Sequence, residues 1–94
     1  MTVSPDQKLT IKVDDVVWRE EGDQLVVLEL TSTTYLTLNG SAKQLWLCLT
    51  DGATKEELVG MLVDTYGISA EQAVSDVESF LAALTERGLL SSDG

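Results

Sequence analysis

The apolar residues of this chain change their spacing once, and the change falls at Asn39-Gly40. Before that point hydrophobic and polar residues alternate in short runs, the period of a strand with one buried face. Leu9-Thr10-Ile11-Lys12-Val13 is such a run, and Val16-Val17-Trp18-Arg19 resumes it after Asp14-Asp15. Gln24 to Leu30 is the richest in Val and Leu. Thr33-Thr34-Tyr35-Leu36-Thr37-Leu38 follows, with the β-branched and aromatic residues that suit a pleated surface. The breaks between runs, Glu20-Glu21-Gly22-Asp23 and Thr31-Ser32, are too short for a crossover, so neighbouring runs must pair antiparallel.

After Asn39-Gly40 the spacing is helical. Leu45, Trp46, Leu47, Cys48 and Leu49 predict a short helix capped by Asn39 or Ser41 and stopped by Asp51-Gly52. Thr54-Lys55-Glu56-Glu57 is a capping box, in which the threonine and the glutamate three residues on satisfy each other's backbone N–H groups. It opens a helix with Leu58, Met61, Leu62 and Val63 inward and a glycine stop at Tyr66-Gly67. Ser69-Ala70-Glu71-Gln72 has the same form and opens the longest helix, which places Ala73, Val74, Val77, Phe80, Leu81 and Leu84 on one broad face before Arg87-Gly88. Leu89-Leu90 reads as a short extended piece. Strands first and helices second predict an α+β fold, because parallel βαβ units would interleave them. Three helices with a small sheet point to a winged helix-turn-helix-like arrangement. Residues 1–8 read as a frayed lead-in, 9–90 as a single domain, and 91–94 as a loose tail.

Composition narrows the function. The 94 residues carry 16 acidic and 6 basic side chains, a net charge of −10. Phosphate binding needs clustered cations, so nucleic acid and anionic membrane are poor partners. The would-be recognition helix, Ala70 to Arg87, offers Glu71, Asp76, Glu78 and Glu86 against one arginine, which argues against a DNA-binding regulator. An acidic carrier protein would need an Asp-Ser-Leu type attachment site, which is missing. No histidine is present, which removes the commonest general base and metal ligand. Cys48, the one cysteine, sits in an apolar helix and reads as a structural thiol. The carboxylate pairs Asp14-Asp15, Glu20-Glu21 and Glu56-Glu57 occupy turns or helix starts, where acids favour solvent and the helix dipole. We therefore expect no enzyme, no metal and no cofactor. No apolar run of about 18 residues crosses a membrane, and MTVSPDQK lacks the features of a secretion signal. A cytoplasmic monomer is the expectation.

A sheet edge remains. The run Thr33–Leu38 is joined on one side only, and its free N–H and C=O groups form either a liability or a docking site. The last helix is broad enough in its apolar face to wall a trough beside that edge. A guest peptide there would add a strand, with main-chain bonds for affinity and pockets for alternate side chains. Leu36, Leu38, Phe80, Leu81 and Leu84 read first as core, and Thr34, Tyr35, Asp76 and Val77 as the walls of the trough. Asp76 would pair with a guest lysine or arginine if it faces inward, and is a solvated helix carboxylate if not.

From Val17 to Leu90, about four-fifths of the chain, the motifs form an ordered set. Tyr35-Leu36-Thr37-Leu38-Asn39 is followed by Leu45-Trp46 and Asp51-Gly52-Ala53-Thr54. Glu57-Leu58, Leu62, Tyr66-Gly67, Asp76-Val77, Phe80-Leu81, Leu84 and Gly88-Leu89-Leu90 complete it. In this set the chain resembles the PqqD-like family, also called RiPP recognition elements, which bind precursors of ribosomally made, modified peptides. The turn Thr31-Ser32 departs from the family, which often has Asp and Gly there. The resemblance implies a three-stranded antiparallel sheet on three helices. It also implies a leader peptide lying antiparallel to the third strand, Thr33, Thr34, Tyr35, Leu36, Thr37 and Leu38. The opposing wall would come from the third helix, through Ala73, Val74, Asp76, Val77, Phe80, Leu81 and Leu84. Standalone members of this length look like the leader-binding proteins of lasso-peptide pathways, which act with a separate cysteine-type leader peptidase. Other members act as peptide chaperones for radical SAM enzymes or serve cyclodehydratases.

Overall fold

The computed structural model of the chain describes residues 7–93. Its elements run β1 (Lys8–Ile11), a 3₁₀ turn (Val13–Asp15), β2 (Val16–Glu21), β3 (Gln24–Glu29), β4 (Thr34–Asn39), α1 (Gly40–Asp51), β5 (Ala53–Thr54), α2 (Lys55–Tyr66), α3 (Ala70–Glu86) and β6 (Leu90–Asp93).

Gly22-Asp23 is the whole of the first hairpin turn, so β2 runs two residues further than the sequence pattern implied. Gly22 takes φ 61° while Asp23 stays at negative φ, the pattern of a type II′ turn, whose twist matches that of paired strands. The next connection is four residues long. Thr33, expected as the start of the edge strand, lies in this turn at φ 54°, a conformation that a β-branched residue adopts only under strain. Asp15 pins the turn from below: its carbonyl accepts from the Leu30 N–H at 2.8 Å and its carboxylate from the Thr31 hydroxyl. The result is the antiparallel sheet β2-β3-β4, with Trp18↔Val27↔Leu36 in one row and Val17↔Leu28↔Tyr35 in the next.

The first run does not extend this sheet. β1 forms a second sheet of order β5-β1-β6, pairing Ile11 with Leu90 and Lys8 with Asp93. Ser91 to Asp93, expected as part of a loose tail, are thus a strand, because β1 offers them a ladder. Of the lead-in, Lys8 already belongs to β1, and residues 1–6 lie outside the described residues.

The caps form as the sequence requires. The Thr54 hydroxyl accepts from Glu57 N–H at 3.0 Å and the Glu57 carboxylate accepts from Thr54 N–H at 2.8 Å, a complete capping box. Gly67 ends α2 in the left-handed region. The second box is half made. Ser69 accepts from Gln72 N–H, but the Gln72 side-chain amide donates to Asp76 instead of serving the cap. Asn39 caps α1 by position, without a side-chain bond.

One core holds the elements together. Leu9, Leu25, Val27, Trp46, Leu49, Leu58, Leu62, Val77 and Leu89 have no exposed surface. The buried Trp46 meets Trp18 edge to face, ring centroids 5.6 Å apart, the geometry preferred by aromatic quadrupoles. Truncating a fully buried leucine in such a core costs about 2–5 kcal/mol, so the apolar faces of all three helices are committed to folding first.

Candidate functional site

Among the described residues, two strands have a free side in the main sheet, β2 and β4. Their chemistry differs. β2 ends in Arg19-Glu20-Glu21, and charges on an edge oppose the addition of another strand. β4 reads Thr-Tyr-Leu-Thr-Leu-Asn, with no charge along its length. The register says which groups it offers. A two-residue turn makes Glu21 and Gln24 a hydrogen-bonded closing pair, and bonded and non-bonded pairs then alternate. Leu25, Val27 and Glu29 therefore bond across to Leu38, Leu36 and Thr34, and the N–H and C=O groups of Tyr35 and Thr37 point away from the sheet.

Beside the end of this edge is a pocket of about 330 Å³, between the first turns of α1 and the middle of α3. Ser41, Ala42 and Leu45 line it from α1, and Asp76, Ser79 and Phe80 from α3. Leu36 and Phe80 are both half-buried and pack on the one core cluster.

The expected site residues divide sharply by burial. Asp76 and Phe80 line the pocket, and Thr34, Tyr35, Leu36 and Thr37 lie along the open strand with at least partial exposure. Leu38 and Leu81, each 7% exposed, are core. Ala73, Val77 and Leu84 have essentially no exposed surface, so the expectation that Val77 forms a wall of the trough is corrected. The stripe 73, 77, 81, 84 points into the core, and only the flank carrying residues 76, 79 and 80 borders the pocket. Val74 is exposed on the other flank, in a separate recess with Lys55, Glu56 and Val59. Tyr35 is 68% exposed, but its ring stands on the outer sheet face with Val17 and Leu28, so it meets the edge through its backbone. Ser41, Ala42, Leu45 and Ser79 escaped the sequence reading. Leu45 reads only as an apolar helix residue, the one signal of the other three is small size, and a single sequence does not show which residues of two helices face each other.

Charge around the site is ordered by ion pairs. Arg87 at the end of α3 reaches Glu29 at the end of β3, 2.7 Å away. Glu29 is the one buried charged side chain among the described residues, and this bond ties the end of β3 to the end of α3. Lys55 pairs with Glu78 at 2.6 Å, and Lys43 with Glu20 at 3.1 Å. Burial, then Asp51 and Glu57, push the Cys48 thiol up, which suppresses the reactive thiolate. Among the described residues no group of three potential metal ligands comes together, and no helix is long and apolar enough to cross a membrane.

Residues 24–90 match the family model described as coenzyme PQQ synthesis protein D, PqqD. The chain belongs to the PqqD family. Two solved structures of similar fold bear this out for the architecture of a PqqD-like RiPP recognition element, three-stranded antiparallel sheet before three helices. One is TbiB1 in complex with the TbiA(beta) leader peptide, 29% identical, with a TM-score of 0.81 over 90% of this chain and 98% of that one. The other, lasso peptide synthetase B1 complexed with the leader peptide, is 20% identical, with a TM-score of 0.78 over 88% and 96%. No curated protein matches the chain. In this order of elements β4 is the third strand of the main sheet, and α3 meets α1, which follows β4 directly, across the pocket.

Proposed function

We propose that the chain is a non-catalytic adaptor for the leader of a ribosomally made precursor, of the lasso-peptide class. The leader pairs antiparallel with β4, its side chains on one face entering the slot toward the Phe80 flank of α3. The adaptor then presents it to a separate leader peptidase or another modifying enzyme. The observation that carries this reading is the uncharged open edge of β4, which runs into α1 at a pocket lined by Ala42, Leu45 and Phe80 together with Ser41, Asp76 and Ser79. A relative that shares the fold over nine-tenths of this chain was solved with a leader peptide, which supports the same class of guest here.

Strand addition suits an adaptor. Main-chain bonds supply affinity that hardly depends on guest sequence, and the pocket supplies selectivity. Six residues of β4 offer about 20 Å of ladder at roughly 3.3 Å per residue. Holding the precursor there converts a bimolecular encounter between enzyme and peptide into a nearly intramolecular one.

Ser79→Trp is the direct test, since Ser79 is exposed on α3 and an indole at this position fills the pocket. Titration of the labelled leader of the chain's own precursor should show affinity at least about tenfold weaker, about 1.4 kcal/mol, at an unchanged melting temperature. Full affinity in that variant places the guest elsewhere.

A further inference from the structure

We propose that the peptide bound at β4 carries a lysine or arginine near the N-terminal end of its paired stretch, and that Asp76 selects for it. This rests on the reading of β4 as the leader-binding edge. Asp76 is half-buried and lines the pocket with Ser41 and Ser79 as polar neighbours and Ala42, Leu45 and Phe80 as apolar ones. Its Oδ1 accepts from Gln72 Nε2 at 2.8 Å, and Oδ2 has no hydrogen-bond partner among the described residues. No lysine or arginine of those residues lies within ion-pair distance of it, although Glu78, two residues along the same helix, is held by Lys55. The carboxylate thus keeps acceptor capacity aimed at the space a guest would fill.

A long basic side chain matches that space. Its methylenes cover Ala42, Leu45 and the Phe80 ring, and its charged head stays at the wetter rim beside Asp76. A purely apolar guest would strip water from the carboxylate without replacing it, and an acidic guest would add repulsion, so the site discriminates by penalty as well as by attraction. The net charge of −10 draws a basic segment toward the chain before contact. Placement along the guest follows from chain direction. The pocket lies where β4 passes into α1, at Ser41 and Ala42, and an antiparallel guest meets that end with its N-terminal residues. The rest of the precursor leaves past Thr34.

A randomised dodecapeptide display library, selected in parallel on the wild-type chain and on Asp76→Asn, Asp76→Lys and Glu71→Gln variants, tests the assignment. Wild type and Glu71→Gln should enrich peptides with Lys or Arg at one fixed position ahead of an apolar stretch. Asp76→Asn should lose that preference while retaining the apolar pattern, and Asp76→Lys should replace it with Asp or Glu. For a single enriched peptide, exchange of the basic residue for Gln should weaken binding to wild type about tenfold and to Asp76→Asn less than about twofold. Enrichment of a common apolar pattern with no basic position on wild type, or a basic position that survives Asp76→Asn, overturns the role of Asp76 and leaves strand addition standing. No enrichment on wild type at all overturns the peptide-binding reading and this inference with it.

Discussion

Val77 and Phe80 are three residues apart on α3 and have opposite fates. Val77 has no exposed surface, whereas Phe80 is half-buried and borders the pocket. The sequence shows both as apolar members of one broad face and contains nothing to divide them, because the division depends on how far α3 is rotated against α1 and the sheet. Asp76 was legible only as a question of facing, and the rotation that buries Val77 is what turns Asp76 toward the pocket. Val77→Asp places a carboxylate where no partner or water reaches it, so its cost is one of folding, at least about 3 kcal/mol. Urea unfolding with far-UV circular dichroism should show a largely unfolded or strongly destabilised variant. Native stability would mean that Val77 is reachable by solvent after all.

At the scale of elements, turn and cap residues were the most readable because each acts over three or four positions. The Thr54 capping box and the Gly22 turn needed no knowledge of the rest of the fold. The partner of β1 did need it: period-2 alternation marks Leu9–Ile11 as a strand but does not name its sheet, and its ladder partner β6 lies some 80 residues away. The capping box carries a pH dependence. The Thr54 N–H, followed by its hydroxyl and by Lys8, holds the Glu57 carboxyl below its ordinary range. A lowered folded pKa means stabilisation that is complete above the unfolded value, about 4.3, and lost as pH falls through the folded one. The stability difference between wild type and Glu57→Gln, which keeps a neutral acceptor, should therefore be greatest near neutrality and close in acid; a difference independent of pH would remove the charged cap. The edge of β4 gives a second element-level prediction. Thr37→Pro removes an outward N–H and should abolish leader binding while the sheet persists, whereas Leu36→Pro removes an N–H bonded to β3 and should damage the fold itself. Equal loss of leader binding and equal loss of structure in the two variants would contradict the alternation.

In the whole molecule, the pocket between α1 and α3 is a by-product of how one core is shared. Sheet and α3 are joined by Arg87 and Glu29, 58 positions apart, while the small side chains of Ser41 and Ala42 on α1 and Ser79 on α3 leave a gap between those two helices. Neither the tie nor the gap has a local signature, which is why the α+β class and the open edge were readable from sequence and the true pocket lining was not. Leader binding of the proposed kind requires that β4, and not β2, be the free edge that takes a guest. Residue-resolved amide hydrogen exchange, with and without the precursor leader, addresses this most directly. Added leader should slow exchange at Tyr35 and Thr37 and leave the outward amides of β2, at Trp18 and Glu20, unchanged. Protection at Trp18 and Glu20 with Tyr35 and Thr37 still exchanging freely would contradict the account.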